Sequence, residues 1–237
     1  PLFSSIIVNN PREVTTELNK HKNVLQVINI KSTEPKDKGP IIGEEKFIST
    51  VYWKNNIIKL QEDLKQLMVI LKAKEIKVIR KSFARNSQKN IQKNLFINFD
   101  VELIIPKKYN IVYDRKDFFW ANYDPPDKEE IKNICVFSVD SKNTDLHKQV
   151  LLKVDSVFKQ YFLGEETGTY ATIDKGFPVT ISDNLYRGLW KLEGGFMGGV
   201  FIFKIYNFTS KTTVCLGLVF DPANTKRRHV KEFEAIL

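Results

Sequence analysis

The sequence predicts an α+β fold, a mixed, mainly antiparallel β-sheet with three principal helices packed on it. Three observations carry this. Apolar residues at 3-4 spacing run from about Asn56 to Ser87, the period of an amphipathic helix. Two β-rich runs, Val200–Phe208 (VFIFKIYNF) and Thr213–Phe220 (TVCLGLVF), are joined by Thr209–Thr212 and read as a hairpin. Further helical stripes at Asp145–Phe162 and Pro222–Leu237 alternate with short strand-like runs. At 237 residues the chain suits one domain, 1–237, or two closely packed lobes of about 1–100 and 101–237.

Phe3–Val8 is the first predicted strand. Pro11 opens a short helix to about Lys20, because its missing N–H has no partner in a first helical turn. Val24–Ile30 is a β-branched strand, Ser32–Pro40 a polar loop, and Phe47–Trp53 a strand. The long helix follows, with Ile57, Leu60, Leu64, Leu67, Leu71 and Val78 on its stripe, and polar Gln88–Asn98 continuing or fraying it. Acidic Glu62 and Asp63 early and basic Lys77, Lys81 and Arg85 late suit the helix dipole. Strands are then predicted at Tyr109–Tyr113, Phe118–Tyr123 and Ile131–Val139, with Asp124–Lys128 (DPPDK) as a turn. Gly164 stands where a left-handed cap would end the helix Asp145–Phe162. Tyr170–Ile173 and Val179–Ile181 are short strands, and Asp221-Pro222 is an N-cap followed by Pro at the first position of the last helix. The echo between Lys22–Ser32 and Lys132–Ser141 fits two generic buried strands better than a duplication.

Hydrophobic residues make up 42% of the chain, enough for a large core, which excludes wholesale disorder. The net charge of +9 comes from 30 Lys and only 7 Arg. Arg is the usual reader of phosphates and bases, so the excess argues against nucleic acid and leaves an anionic surface as the better basic-face partner. No stretch reaches the roughly 18 apolar residues of a membrane span. The chain starts at Pro1 close to a strand and stops within a helical pattern, so further segments are expected at both ends of the full-length protein.

The Gly-rich run Gly194–Gly199 is the most unusual local feature. A strand follows it rather than a helix, so it fails as a phosphate loop and reads as a tight bend or bulge, with a ligand-facing loop as the alternative. Tyr170, Arg187, Trp190, Met197, Gly198 and Gly199 are the candidate binding residues, with Arg187 near two aromatic rings in Tyr186–Trp190. Glu165, Glu166, Asp174 and Arg187 are the candidate catalytic groups, in the sense of paired carboxylates across a cleft. Solvated turns and an internal Arg–aromatic brace are the plainer readings of the same residues. His21, His147 and His229 have no His or Cys at metal-ligand spacing, so no metal or cofactor is predicted and the histidines read as surface residues. No G-x-S-x-G elbow occurs. The ridge Lys77, Lys81, Arg85 and the cluster Lys226-Arg227-Arg228 read as solvated faces or as contacts for an anionic partner such as lipid headgroups. Cys135 and Cys215 sit in apolar runs and read as buried thiols.

IPKKY at Ile105–Tyr109, DFFW at Asp117–Trp120, LGEETGTYAT at Leu163–Thr172, YRGLW at Tyr186–Trp190, FMGGVF at Phe196–Phe201 and FDPANTKRRHVKEFEAIL at Phe220–Leu237 together resemble a family of envelope lipoproteins of the Bacteroidetes group, a domain of unknown function. FMGGVF departs from the family form, which has Pro where Val200 stands. The resemblance implies a periplasmic-facing or surface-exposed position in the bacterial cell envelope, held by an N-terminal lipid anchor. It implies a compartment that would permit a Cys135–Cys215 bridge, and it implies no reaction. The leading expectation is thus a non-enzymatic module for an envelope protein or glycan, marked by an exposed aromatic or apolar patch. A hydrolase would need Glu165, Glu166 or Asp174 to share a pocket with Arg187. A nucleic-acid or other anionic-surface binder would show a steep salt dependence.

Overall fold

The structure, a computed structural model, describes residues 23–29, 47–53, 56–140, 145–209 and 211–237, with backbone alone at 23–29, 47–50 and 52–53. The expected elements at Phe3–Val8, Pro11–Lys20 and Ser32–Pro40, and His21, lie outside the described residues. The chain divides into two compact units, Pro1–Glu75 and Ile76–Leu237. In the first, β1 (Asn23–Asn29) pairs in parallel with β2 (Phe47–Trp53). Helix α1 (Ile57–Arg85) starts there, its N-terminus capped by the Asn56 side chain, which accepts the Lys59 N–H at 3.1 Å. Of the anticipated stripe on α1, Leu67 is buried, while Ile57 and Val78 are exposed.

The second unit is built on a wholly antiparallel sheet. Its strands are β3 (Asn110–Asp114), β4 (Phe118–Tyr123), β5 (Ile131–Asp140), β6 (Tyr170–Ile173), β7 (Thr180–Ser182), β8 (Leu185–Glu193), β9 (Gly198–Asn207) and β10 (Lys211–Phe220). They lie in the order β3-β4-β5-β10-β9-β8-β6, and β7 also pairs with β8. Helices α2 (Lys89–Phe99) and α4 (Arg227–Ile236) belong to one face and α3 (Leu146–Tyr161) to the other. Both pairing types of the predicted mixed sheet occur, the parallel one in the β1–β2 pair of the first unit and the antiparallel one throughout the main sheet of the second.

Strands β5 and β10 lie at the centre and are covered on both faces, which is why their sequences are continuous apolar runs rather than alternating ones. Successive side chains still point to opposite faces. Ile134 and Val136 pack with Phe99, Phe233 and Ile236, while Cys135 and Phe137 pack with Val150, Val154 and Phe158 of α3. This parity decides the cysteines. Cys215 is opposite Val136, and Cys135 is opposite Leu216, so the two thiols point into different cores. The Cys135–Cys215 bridge is therefore excluded, and both thiols are free and buried. Burial pushes both up, Cys135 well above the usual thiol range and Cys215 likewise, which makes them inert.

Helix α4 lies close to the sheet because of Gly217. A Cβ there would stand 2.5–2.6 Å from the Phe233 ring, so only glycine leaves room for that side chain on β10. The helix starts at Arg227, later than the expected Pro222. Asp221 does not cap it; its carboxylate instead accepts the backbone N–H of Asn224 at 3.1 Å and closes a separate turn. The anticipated single helix Asn56–Ser87 is also interrupted. The Gln88 N–H leaves the helical ladder for the Ile105 carbonyl at 2.9 Å, and Lys107 N–H bonds Asn86 O at 2.9 Å, so residues 89–99 form their own helix. Gly164 is not left-handed: α3 ends on Phe162, and Gly164 is needed because a Cβ would meet Thr169 Oγ1 at 2.2 Å. Strand β8, anticipated only as the Tyr186–Trp190 motif, completes the sheet between β9 and β6.

Asp155 ties α3 to β6. Its Oδ1 accepts from Thr172 Oγ1 at 2.7 Å and from the Ile173 N–H at 2.9 Å, and its Oδ2 faces Lys159 Nζ at 2.9 Å. Burial opposes ionisation, but the hydrogen bonds outweigh it and hold the carboxyl below its ordinary 3.8. The folded value is the lower one, so this contribution is complete above the unfolded pKa and is lost as pH falls from 3.8 through the depressed value. Stability–pH curves of the wild type and Asp155→Asn, measured by denaturant titration, are expected to differ at neutral pH and converge in acid. Gly217→Ala is expected to destabilise by about 1–3 kcal/mol through overpacking against Phe233, measured the same way.

Candidate functional site

The turn between β8 and β9 builds a surface depression of ≈ 650 Å³. Leu192 N–H bonds Met197 O at 2.8 Å, closing a hairpin over Glu193, Gly194, Gly195 and Phe196. Gly194 takes φ 76°, which an L side chain rarely adopts. Phe196, at the tip, is 93% exposed. The floor is rigid. Gly199 approaches β10 so closely that a Cβ would stand 2.0 Å from Val219 O, and this lets the Trp190 indole N–H donate to Val219 O at 3.2 Å. The rim carries both signs: Asp174 and Glu193, Lys191 paired with Glu193 at 3.0 Å, and Lys226, whose ammonium donates to Asn224 O at 2.8 Å.

Of the sequence candidates, Trp190, Met197, Gly198, Gly199 and Asp174 line this depression together. Tyr170, Glu165, Glu166 and Arg187 do not line it. Tyr170 lies on β6 under Lys159, 5.8 Å from its ring centroid. Glu165 and Glu166 are exposed in the turn before β6, where Glu166 O accepts from Thr169 Oγ1 at 2.6 Å. Arg187 is engaged by Glu234 of α4, Nη2 to Oε1 at 2.6 Å. The depression therefore gathers aromatic and glycine residues with one of the carboxylates, not a carboxylate–arginine cleft.

A second constellation lies on the α4 face and was not anticipated. The two-residue period of β5 points Lys132 the same way as Ile134 and Val136, toward α4, and Glu130, just before the strand, reaches the same ammonium. On α4, His229 and Glu232 are three residues apart and share the inner face with Phe233 and Ile236. Lys132, 1% exposed, is held between the carboxylates of Glu130 and Glu232, the latter at 2.5 Å. Arg228 Nε reaches the other oxygen of Glu232 at 3.0 Å. Burial works against ionisation of Glu232, and the Lys132 hydrogen bond and charge reverse this, keeping its carboxyl below the ordinary range.

His229 is 2% exposed, which corrects its reading as a surface residue. Its Nε2 lies 2.6 Å from Asp221 Oδ2, and its Nδ1 lies 3.5 Å from Glu130 Oε1. Burial again opposes ionisation of Asp221, but the hydrogen bonds from His229 and Asn224 lower its pKa below the usual value. An ionised carboxylate only accepts, so Nε2 carries a proton and donates. Among the described residues, His229 Nδ1 and Tyr109 Oη are buried polar atoms without a hydrogen-bond partner. Glu130, His229 and Glu232 each bring a ligand-type atom to within 4.8 Å of the others. Spacing between His and Cys residues does not reveal this group, because its ligands come from two segments; the His229–Glu232 spacing on one helical face is the signal the sequence carries. His147, by contrast, is exposed and meets Tyr186 Oη through Nδ1.

These features define an α+β domain with an antiparallel sheet layered by helices on both faces. More particularly, the domain of unknown function DUF4837 matches residues 87–237, and the chain belongs to this family. Comparison with curated proteins gives no match. No helix among the described residues is long and apolar enough to cross a membrane.

Removing Lys132 leaves the buried Glu232 carboxylate facing half-buried Glu130 without the cation between them. Lys132→Met is expected to destabilise the fold by about 3–5 kcal/mol in denaturant titration, and combining it with Glu232→Leu should recover much of the loss.

Proposed function

We propose that this domain is a non-enzymatic binding module of the bacterial cell envelope that docks a partner protein through the β8–β9 hairpin and the depression beside it. The exposure of Phe196 is the observation that carries this reading. An aromatic ring held in water at the tip of a glycine-bounded hairpin does nothing for the fold, and aromatic side chains next to a pocket are the usual anchors of protein interfaces. The rim of mixed charge beside Trp190 and Met197 suits the polar margin of such an interface. The engagement of Arg187 by Glu234, away from the depression, favours binding over hydrolysis. Family membership and the resemblance of its motifs to envelope lipoproteins support the location, with an N-terminal lipid anchor in the full-length protein.

The test uses the full-length protein in its native cells, carrying a photo-crosslinking amino acid at Phe196 or, as a control, at exposed Lys153. A discrete protein adduct from position 196 alone is expected. Absence of any adduct there, or retention by an envelope glycan that Phe196→Ala abolishes, overturns the protein-docking reading. Cell fractionation with fatty-acid labelling tests the location: label in the membrane fraction is expected, and unlabelled protein in the cytosol refutes it.

A further inference from the structure

We propose that Glu130, His229 and Glu232 form a site for a single divalent transition-metal ion, with Asp221 as the positioning residue for the imidazole and Lys132 as the resident cation that the metal displaces. The donor set is one imidazole nitrogen and two carboxylates, within the range that zinc and its neighbours accept. Convergence of carboxylates alone does not make a site, and the imidazole supplies the independent observation. Its Nε2–H donates to Asp221 Oδ2 at 2.6 Å, so in the neutral ring the lone pair is on Nδ1. That lone pair is buried, has no hydrogen-bond partner, and faces the Glu130 oxygen at 3.5 Å. The Lys132 ammonium answers that Glu130 oxygen but leaves the nitrogen lone pair unused, and a cation placed between the two atoms would engage both. A carboxylate that takes the far N–H of a histidine is also the usual support of a metal-bound imidazole, because it fixes both tautomer and ring direction.

Lys132 fits this account as a competitor. Its ammonium already neutralises Glu130 and Glu232, so the cluster is stable without metal, but it leaves Nδ1 unused. A divalent ion uses all three donors, and the ammonium then turns toward the Tyr123 ring, whose centroid is 5.5 Å from Nζ. Glu130 is the least enclosed of the three ligands, its side chain 13% exposed, and it marks the entry. This site is on the sheet face under α4 and is independent of the hairpin depression.

The experiment titrates the full chain, stripped with chelator, with Co2+ and then Zn2+. Saturation at one equivalent is expected, with the visible absorption of low-coordinate cobalt and a shift of the Lys132 side-chain methylene signals in NMR. His229→Gln and Glu130→Gln should each weaken binding at least about tenfold, and Asp221→Asn by about 10–100-fold. Circular dichroism checks that each variant is folded, and Glu130→Gln, at the more open position, keeps the test decisive if His229→Gln unfolds. No saturable uptake by the wild type up to millimolar metal overturns the proposal. So does uptake that a folded Glu130→Gln variant retains in full, or that leaves the Lys132 signals unmoved.

Discussion

The burial of Lys132 on a central strand is the constraint around which the second unit is arranged. An ammonium in that position is tolerated only with its charge answered, and Glu130 and Glu232 answer it from just before β5 and from α4. Glu232 must therefore face β5. Two residues later, Glu234 lies on another flank of the helix and meets Arg187 of β8 at 2.6 Å. Phe233, between them, drops onto Gly217 of β10. Three consecutive residues thus fix the rotation of α4 against three strands. Arg80 adds a hold on the helix end by donating to Ala235 O at 2.9 Å. Buried ion pairs contribute little net stability compared with apolar packing, and here their effect is to admit one seating of the helix.

The two places singled out for function are supported by the same stretch of chain. Val219 takes the indole N–H that holds the floor of the depression, Asp221 orients the imidazole, and Lys226 contributes to the rim just before α4 begins. The turn from β10 to α4 is therefore a support for both. Its own hydrogen bonds, from Asn224 and Lys226 back to Asp221, keep it defined without regular secondary structure.

The sheet and α3 were legible in sequence because central strands write themselves as unbroken apolar runs and α3 as a clean stripe. What was not legible depended on partners far along the chain. Nothing in the residues Asn86, Ser87 and Gln88 forbids a helix; the break occurs because Ile105 and Lys107 offer them bonds, joined by the bridge of Ser87 to Pro106. Strand β8 was obscured by Arg187 and Gly188 in the middle of its run. The depression was legible in part, since the glycines and Trp190 stood out, but the exposed tip residue Phe196 did not. His229 was hidden by its neighbours: after Lys226, Arg227 and Arg228 a histidine looks solvated. Only its phase with Phe233 and Ile236 would have turned it inward. Asp221, Glu130 and Lys132 come to it from other segments, which spacing along the chain does not reveal.

The placement of Cys135 and Cys215 on opposite faces of adjacent strands has a practical side. Neither thiol is within reach of the other, of solvent or of a reagent while the fold is intact. Neither a reducing nor an oxidising environment is therefore expected to act on these two thiols, and both are shielded from maleimides and spin labels in the folded domain. Within this domain, a single engineered thiol at the hairpin tip would be a reactive handle distinct from the two buried native thiols.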